Sequence, residues 1–89
     1  MRKMQKITMF TMAGCPYCRE AQRYMDDLFK SDEKYREIPI EIIDERLQPD
    51  IANSYDYYYV PTFYVGERKA HEGAVSARKV KQVFDEALE

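Results

Sequence analysis

The sequence predicts an α/β domain whose elements run β-α-β-α-β-β-α, with four strands flanked by helices. Three observations point there. Pro16 and Pro49 each follow a β-branched run and stand where a helix would open, because a proline lacks the N–H that a first helical residue leaves unpaired. Gly66-Glu67 suits a two-residue reversal with glycine first, between two strand-like segments. Near the C-terminus Val80, Val83, Phe84, Ala87 and Leu88 recur at helical spacing.

In order, residues 6–11 (KITMFT) are β-branched and aromatic and stop at Ala13-Gly14, which suits a short buried strand. Behind Pro16, one helical face carries Cys18, Ala21, Met25, Leu28 and Phe29, with the charges mostly elsewhere; this helix fades near Lys30. Residues 31–37 (SDEKYRE) are polar and read as a surface connection. In residues 38–44 Ile38, Ile40 and Ile42 alternate, and Pro39, which cannot donate to a ladder, places this strand at a sheet edge or marks its start. Pro49 opens a short helix with Ile51, Ala52 and Tyr55 to bury. Residues 60–65 and 68–72 form an antiparallel pair, and Ser76 is the N-cap of the final helix.

At 89 residues the chain has material for one hydrophobic core, so residues 1–89 are expected to form a single domain. A 45% hydrophobic content suits a folded soluble protein, and no apolar run is long enough to span a bilayer, so no membrane partner is expected. The net charge of −2 lacks the basic excess of nucleic-acid binders, so no nucleic-acid partner is expected either. The opening MRKMQKITMF places basic residues before apolar ones, as a signal peptide would, but its apolar part is short and without a small-residue cleavage site. A first strand is the better reading, the cytoplasm is the expected compartment, and a monomer is expected. In that reducing setting a structural disulfide is not expected, and a lone cysteine pair leans toward metal binding or catalysis.

Those cysteines, Cys15 and Cys18, flank Pro16-Tyr17 at the predicted helix start. Side chains three apart on a helix lie about 5–6 Å apart at Cβ, close to the 3.5–4.5 Å or so that a disulfide needs, so the pair can close after a small local adjustment. Cys15 stands at the positive helix end, where free N–H groups favour an anion, and is expected to be the thiolate. The chemistry follows: Cys15 attacks a substrate disulfide, and Cys18 resolves the mixed disulfide by attacking the Cys15 sulfur. A zinc half-site is the alternative use of such a pair. Four ligands are usual, and His71 is the one further nitrogen or sulfur donor, so a zinc or iron–sulfur site would need Cys15 joined by a second subunit or glutathione.

The motif CPYC, after a strand and opening a helix, resembles the active site of glutaredoxins, and Val60-Pro61-Thr62 resembles the cis-proline loop of thioredoxin-fold proteins. The resemblance spans nearly the whole chain. It implies a thioredoxin-like, glutaredoxin-type fold with a mixed four-stranded sheet, and a thiol–disulfide oxidoreductase with no bound cofactor. Its partners would be disulfide-containing proteins or small molecules, with electrons from glutathione or from a flavin-dependent thioredoxin reductase using NADPH. Pro61 would be cis and face Cys15, and the backbone of Val60 would pair with extended substrate by strand addition. Pro16 shapes the disulfide ring; Tyr17 and Tyr59 are candidate substrate contacts. Several positions depart from the glutaredoxin pattern. The basic residue before the first cysteine, the threonine before Val-Pro and the Gly-Gly-acid run have no match in residues 11–14, Tyr59 and EGAVS. EGAVS looks more like thioredoxin, although thioredoxin's tryptophan and buried acid are Gly14 and Met9 here. These departures favour the reductase as donor.

Overall fold

The strand β1 (Ile7–Thr11) occupies an interior position in the sheet, and all five of its residues are buried because both of its faces are covered. The computed structural model describes residues 4–89; Arg2 and Lys3, the first basic residues of the signal-like opening, lie outside the described residues. β1 pairs in parallel with β2 (Ile40–Asp44), from Ile7↔Ile40 to Thr11↔Asp44. It pairs antiparallel with β3 (Thr62–Val65), from Ile7↔Val65 to Phe10↔Thr62, and β3 in turn pairs antiparallel with β4 (Arg68–Glu72). The order is β2-β1-β3-β4. A parallel neighbour needs a crossover, and α1 (Pro16–Ser31) supplies most of it between β1 and β2.

Each helix starts where its residues dictate. Pro16 takes the first turn of α1. In α3 (Ala77–Leu88) the Ser76 hydroxyl accepts the Lys79 N–H at 3.1 Å, satisfying an orphan donor. The turn between β3 and β4 has Gly66 at φ +59°, while among the described residues none other than glycine has positive φ, so the reversal carries left-handed backbone at its first position alone.

Two apolar clusters sandwich the sheet. On one side α1 and α3 bring Ala21, Met25, Val80, Val83, Phe84 and Ala87 onto Ile7, Met9, Phe63 and Val65. On the other, Phe10, Ile43, Ala52 and Tyr64 form a smaller cluster, closed by Tyr55, Tyr57 and Val60 and roofed by the single turn of α2 (Pro49–Asn53). Phe10 is its hub: the ring stacks on Tyr57 at 4.7 Å between centroids and tilts against Tyr55 at the same distance. Such pairs add to area burial, about 0.5–1.5 kcal/mol each.

Three expectations need correction. Residues 31–37 do not merely cross the surface: Glu33–Glu37 form a 3-10 turn, and Tyr35 is buried with its hydroxyl 2.5 Å from Asp85 Oδ1. Ile42 does not share the burial of Ile38 and Ile40. β2 is an edge strand, its Ile40 packs on the larger cluster, Ile42 beyond it is 47% exposed, and Ile43 on the opposite face is buried against the Phe10 cluster instead. Ile51 is exposed, because a helix of one turn buries a narrow face and Ala52 occupies it. Pro39 satisfies both of its readings, preceding an edge strand and accepting the Ile7 N–H at its carbonyl.

Candidate active site

From the end of β1 the chain turns through residues 12–15, closed by the Cys15 N–H on the Met12 carbonyl at 3.2 Å. Gly14, third in that turn, has φ +84°, the conformation a type II turn asks of its third residue. The turn delivers Cys15 to the N-cap of α1 in extended conformation, its carbonyl accepting the Arg19 N–H and its side chain making no capping hydrogen bond. Pro16 follows at the first helical position, and Cys18 lies in the first turn. Both thiols are free and buried, Cys15 at 8% exposure and Cys18 at 3%.

The electrostatics separate the two sulfurs. Burial pushes the Cys15 thiol up, but the Cys18 thiol, the backbone N–H groups of Cys18 and Tyr17, and the Arg19 charge together hold it below the ordinary thiol range. Burial pushes Cys18 up; the Thr11 side chain opposes this, and the neighbouring Cys15 reinforces it. A nucleophile with a depressed pKa beside a partner that keeps its proton is the arrangement a stepwise exchange needs.

Asp44, at the end of β2, fastens the cysteine loop. Its Oδ2 accepts the Ala13 N–H at 3.2 Å and its Oδ1 the Arg46 N–H at 2.8 Å, while Glu45 N–H reaches the Thr11 carbonyl. A cleft of about 180 Å³ opens here, lined by Thr11, Cys15, Cys18, Arg19, Gln22 and Asp44 among others.

The Val60–Pro61 peptide is cis. Pro61 is fully buried and its carbonyl accepts the Gly73 N–H at 2.8 Å. Carried one residue past Phe10↔Thr62, the antiparallel register sets Pro61 beside Thr11, where the cysteine loop departs. The backbone of β1 thus brings the cysteines and the proline to one end of the sheet. Tyr59, Val60 and Pro61 do not line the cleft over the sulfurs, and Tyr17 and Tyr59 are exposed at 54% and 71%. Val60 is half-buried on the Phe10 cluster, and Pro16 is exposed. His71 turns elsewhere, its Nε2 2.8 Å from the Ala74 carbonyl. Among the described residues no cluster of three or more His, Cys, Asp or Glu side chains is disposed to hold a metal ion, and no helix is long and apolar enough to cross a membrane.

Sequence reasoning missed Asp44 and, on the proline side, Lys69 and Glu72, and it named Thr62 within its motif without giving its side chain a role. Thr62 donates its hydroxyl to the Tyr59 carbonyl, and Glu72 accepts two N–H groups from the segment before Val60. Asp44 carried the one available signal, an acid closing a strand ahead of a turn.

The family model described as Glutaredoxin matches residues 7–69. Solved structures with a similar backbone include mitochondrial thioredoxin 3 of Saccharomyces cerevisiae in its oxidised form, at 19% identity and TM-score 0.73, covering 94% of this chain and 79% of that one. The oxidised thioredoxin of Plasmodium falciparum is 16% identical with TM-score 0.72, covering 98% and 84%. A thioredoxin-like protein of Clostridium perfringens is 23% identical with TM-score 0.68, covering 98% and 73%. These likenesses establish a thioredoxin-like fold. No curated protein matches the chain in sequence.

Proposed function

Because the chain belongs to the glutaredoxin family, we propose that it is a thiol–disulfide oxidoreductase in which Cys15 is the nucleophile and Cys18 the resolving thiol. The observation that carries this reading is the placement of two free thiols at the N-cap and in the first turn of α1, an arrangement that favours ionisation of Cys15 over Cys18. Cys15 thiolate attacks one sulfur of the substrate disulfide and expels the other as thiolate. Cys18 then loses its proton and attacks Cys15 Sγ, closing the Cys15–Cys18 disulfide and releasing the second substrate thiolate. Two electrons have moved to the substrate, and the two thiolates take up protons from solvent.

In this reading an extended substrate pairs with the backbone of Val60 beside Pro61, Pro16 shapes the ring, and Tyr17 and Tyr59 offer exposed aromatic surface to it. Its substrates are protein or small-molecule disulfides, and it works as a monomer in the cytoplasm. The electrons that reopen the disulfide come from NADPH through a flavin-dependent thioredoxin reductase, because the residues by which glutaredoxins hold glutathione lack counterparts at residues 11–14, Tyr59 and residues 72–76.

Supplying NADPH through each donor system in turn, with a disulfide substrate, tests the assignment. Turnover is expected with the reductase; efficient turnover with glutathione alone overturns the choice of donor, and none with either overturns the activity. The asymmetry has its own test in alkylation rate against pH. Cys15 should titrate below the value of about 8.5 of an ordinary thiol and Cys18 above it. In the folded protein the depressed Cys15 contributes stability that is fully present above that ordinary value and is lost as pH falls through its own lower pKa.

A further inference from the structure

The segment before Val60-Pro61 is held by a single irregularity in β4. The strands pair Thr62↔Glu72 and Phe63↔His71, then slip to Tyr64↔Lys69, leaving Ala70 unopposed. Three apart on a regular strand, Lys69 and Glu72 would point to opposite faces. The extra residue brings them to one face, since their partners Tyr64 and Thr62 are two apart. There Lys69 Nζ lies 2.8 Å from Glu72 Oε1, and both side chains grip the same segment. Glu72 Oε2 accepts the Tyr58 N–H at 2.5 Å and the Tyr59 N–H at 3.0 Å, and Lys69 Nζ donates to the Asp56 carbonyl at 3.2 Å.

An exposed ion pair alone stabilises little. A carboxylate that accepts two successive backbone N–H groups does something else: it fixes where that backbone runs, through short charge-assisted bonds. The Lys69 hydrogen bond, the strongest of these influences, and the two N–H bonds hold the Glu72 carboxyl down at about 2, so the grip is charged at any working pH. With both N–H groups taken, the edge left open to a substrate strand narrows to Val60, because Pro61 has no N–H to offer.

We propose that Glu72, steered by the bulge at Ala70 and braced by Lys69, is the positioning residue of the substrate-docking segment, fixing the backbone at Tyr58 and Tyr59 so that Val60 meets a peptide disulfide in register. This rests on the thiol–disulfide activity proposed above. Peptide disulfides, which need strand pairing, depend on it; a small disulfide that offers little beyond its sulfurs does not.

The test compares Glu72→Ala, Glu72→Gln and the exchange K69E/E72K. The measurements are kcat and KM for a peptide disulfide and for bis(2-hydroxyethyl) disulfide, together with alkylation of Cys15. Glu72→Ala should raise the peptide KM about tenfold, the scale on which one lost charge-assisted bond moves an equilibrium, and leave the small disulfide and Cys15 alkylation unchanged. Glu72→Gln keeps an acceptor oxygen and should recover most of the loss. The exchange leaves opposite charges at 69 and 72, but a lysine at 72 accepts nothing, so the raised KM should persist. An unchanged peptide KM in Glu72→Ala, equal losses on both substrates, or recovery in the exchange variant overturns the proposal. If Glu72→Ala does not fold, Glu72→Gln against the exchange decides, and equal peptide KM values overturn it. If folded wild type reduces neither disulfide, the activity falls by itself. Amide hydrogen exchange at Tyr58 and Tyr59 then judges the grip alone: faster exchange in the Glu72 variants supports it, and unchanged exchange overturns it.

Discussion

The two arms of the candidate site are secured in different ways. The cysteine arm is specified mostly within itself, with Asp44 its distant fastening: Gly14 makes the turn, Pro16 starts the helix, and the free N–H groups of that start act on Cys15. The proline arm is secured from a distance, by Lys69 and Glu72 on a strand that follows it and by Thr62 beneath it. The first arm therefore carries its chemistry in its own stretch of sequence, whereas the second borrows its shape from the sheet. An arm of the second kind is tuned by changes far from the reacting sulfurs.

The sharpest way to break this comparison is at the sulfurs themselves. Cys15→Ser should bring reduction of every disulfide to the uncatalysed background, while Cys18→Ser should still attack the substrate through Cys15 and accumulate a mixed disulfide, seen as a mass adduct on Cys15. Equal, mild effects would erase the asymmetry of the first arm. A smaller effect, on stability, separates the supports: Phe10→Ala empties the hub beneath the proline arm and should cost about 3–5 kcal/mol by urea unfolding. In the protein still folded, Cys15 alkylation should be unchanged, since the Cys15 thiolate is stabilised from within α1. The smallest effect belongs to acid. Glu72 is depressed to about 2 from an unfolded value of about 4.3, so its contribution is complete above the latter and lost as pH falls through the former. The Tyr58 and Tyr59 amide resonances should move in that window; constancy there would remove the carboxylate from the second arm.

What could be read from the sequence follows the same divide, except for Asp44, which holds the cysteine loop from 31 positions away. The start of α1, the cap at Ser76, the glycine-led reversal and the apolar stripe of α3 all depend on residues a few positions apart, and local chemistry decides them. Tyr35 hid in a polar run because its partner, Asp85, is 50 positions away. Alternation suggested an inward Ile42, but how far the cover extends over an edge strand is set by the helices above it, not by the strand. Glu72 and Lys69 escaped because strand periodicity puts them on opposite faces, and nothing in RKAHE announces the bulge that overrides it. The cysteines, Pro16 and the cis Val60–Pro61 peptide were legible; the residues that aim the second arm were not.

The helix α1 opens without the hydroxyl, amide or carboxylate that usually covers a first turn, for the side chain at that place is a sulfur. The N–H groups of Tyr17 and Cys18 thus have the Cys15 thiolate as their anionic lid. Protonation, alkylation or closure onto Cys18 strips the charge from that lid. The start of α1 therefore has an anionic partner only while Cys15 is ionised.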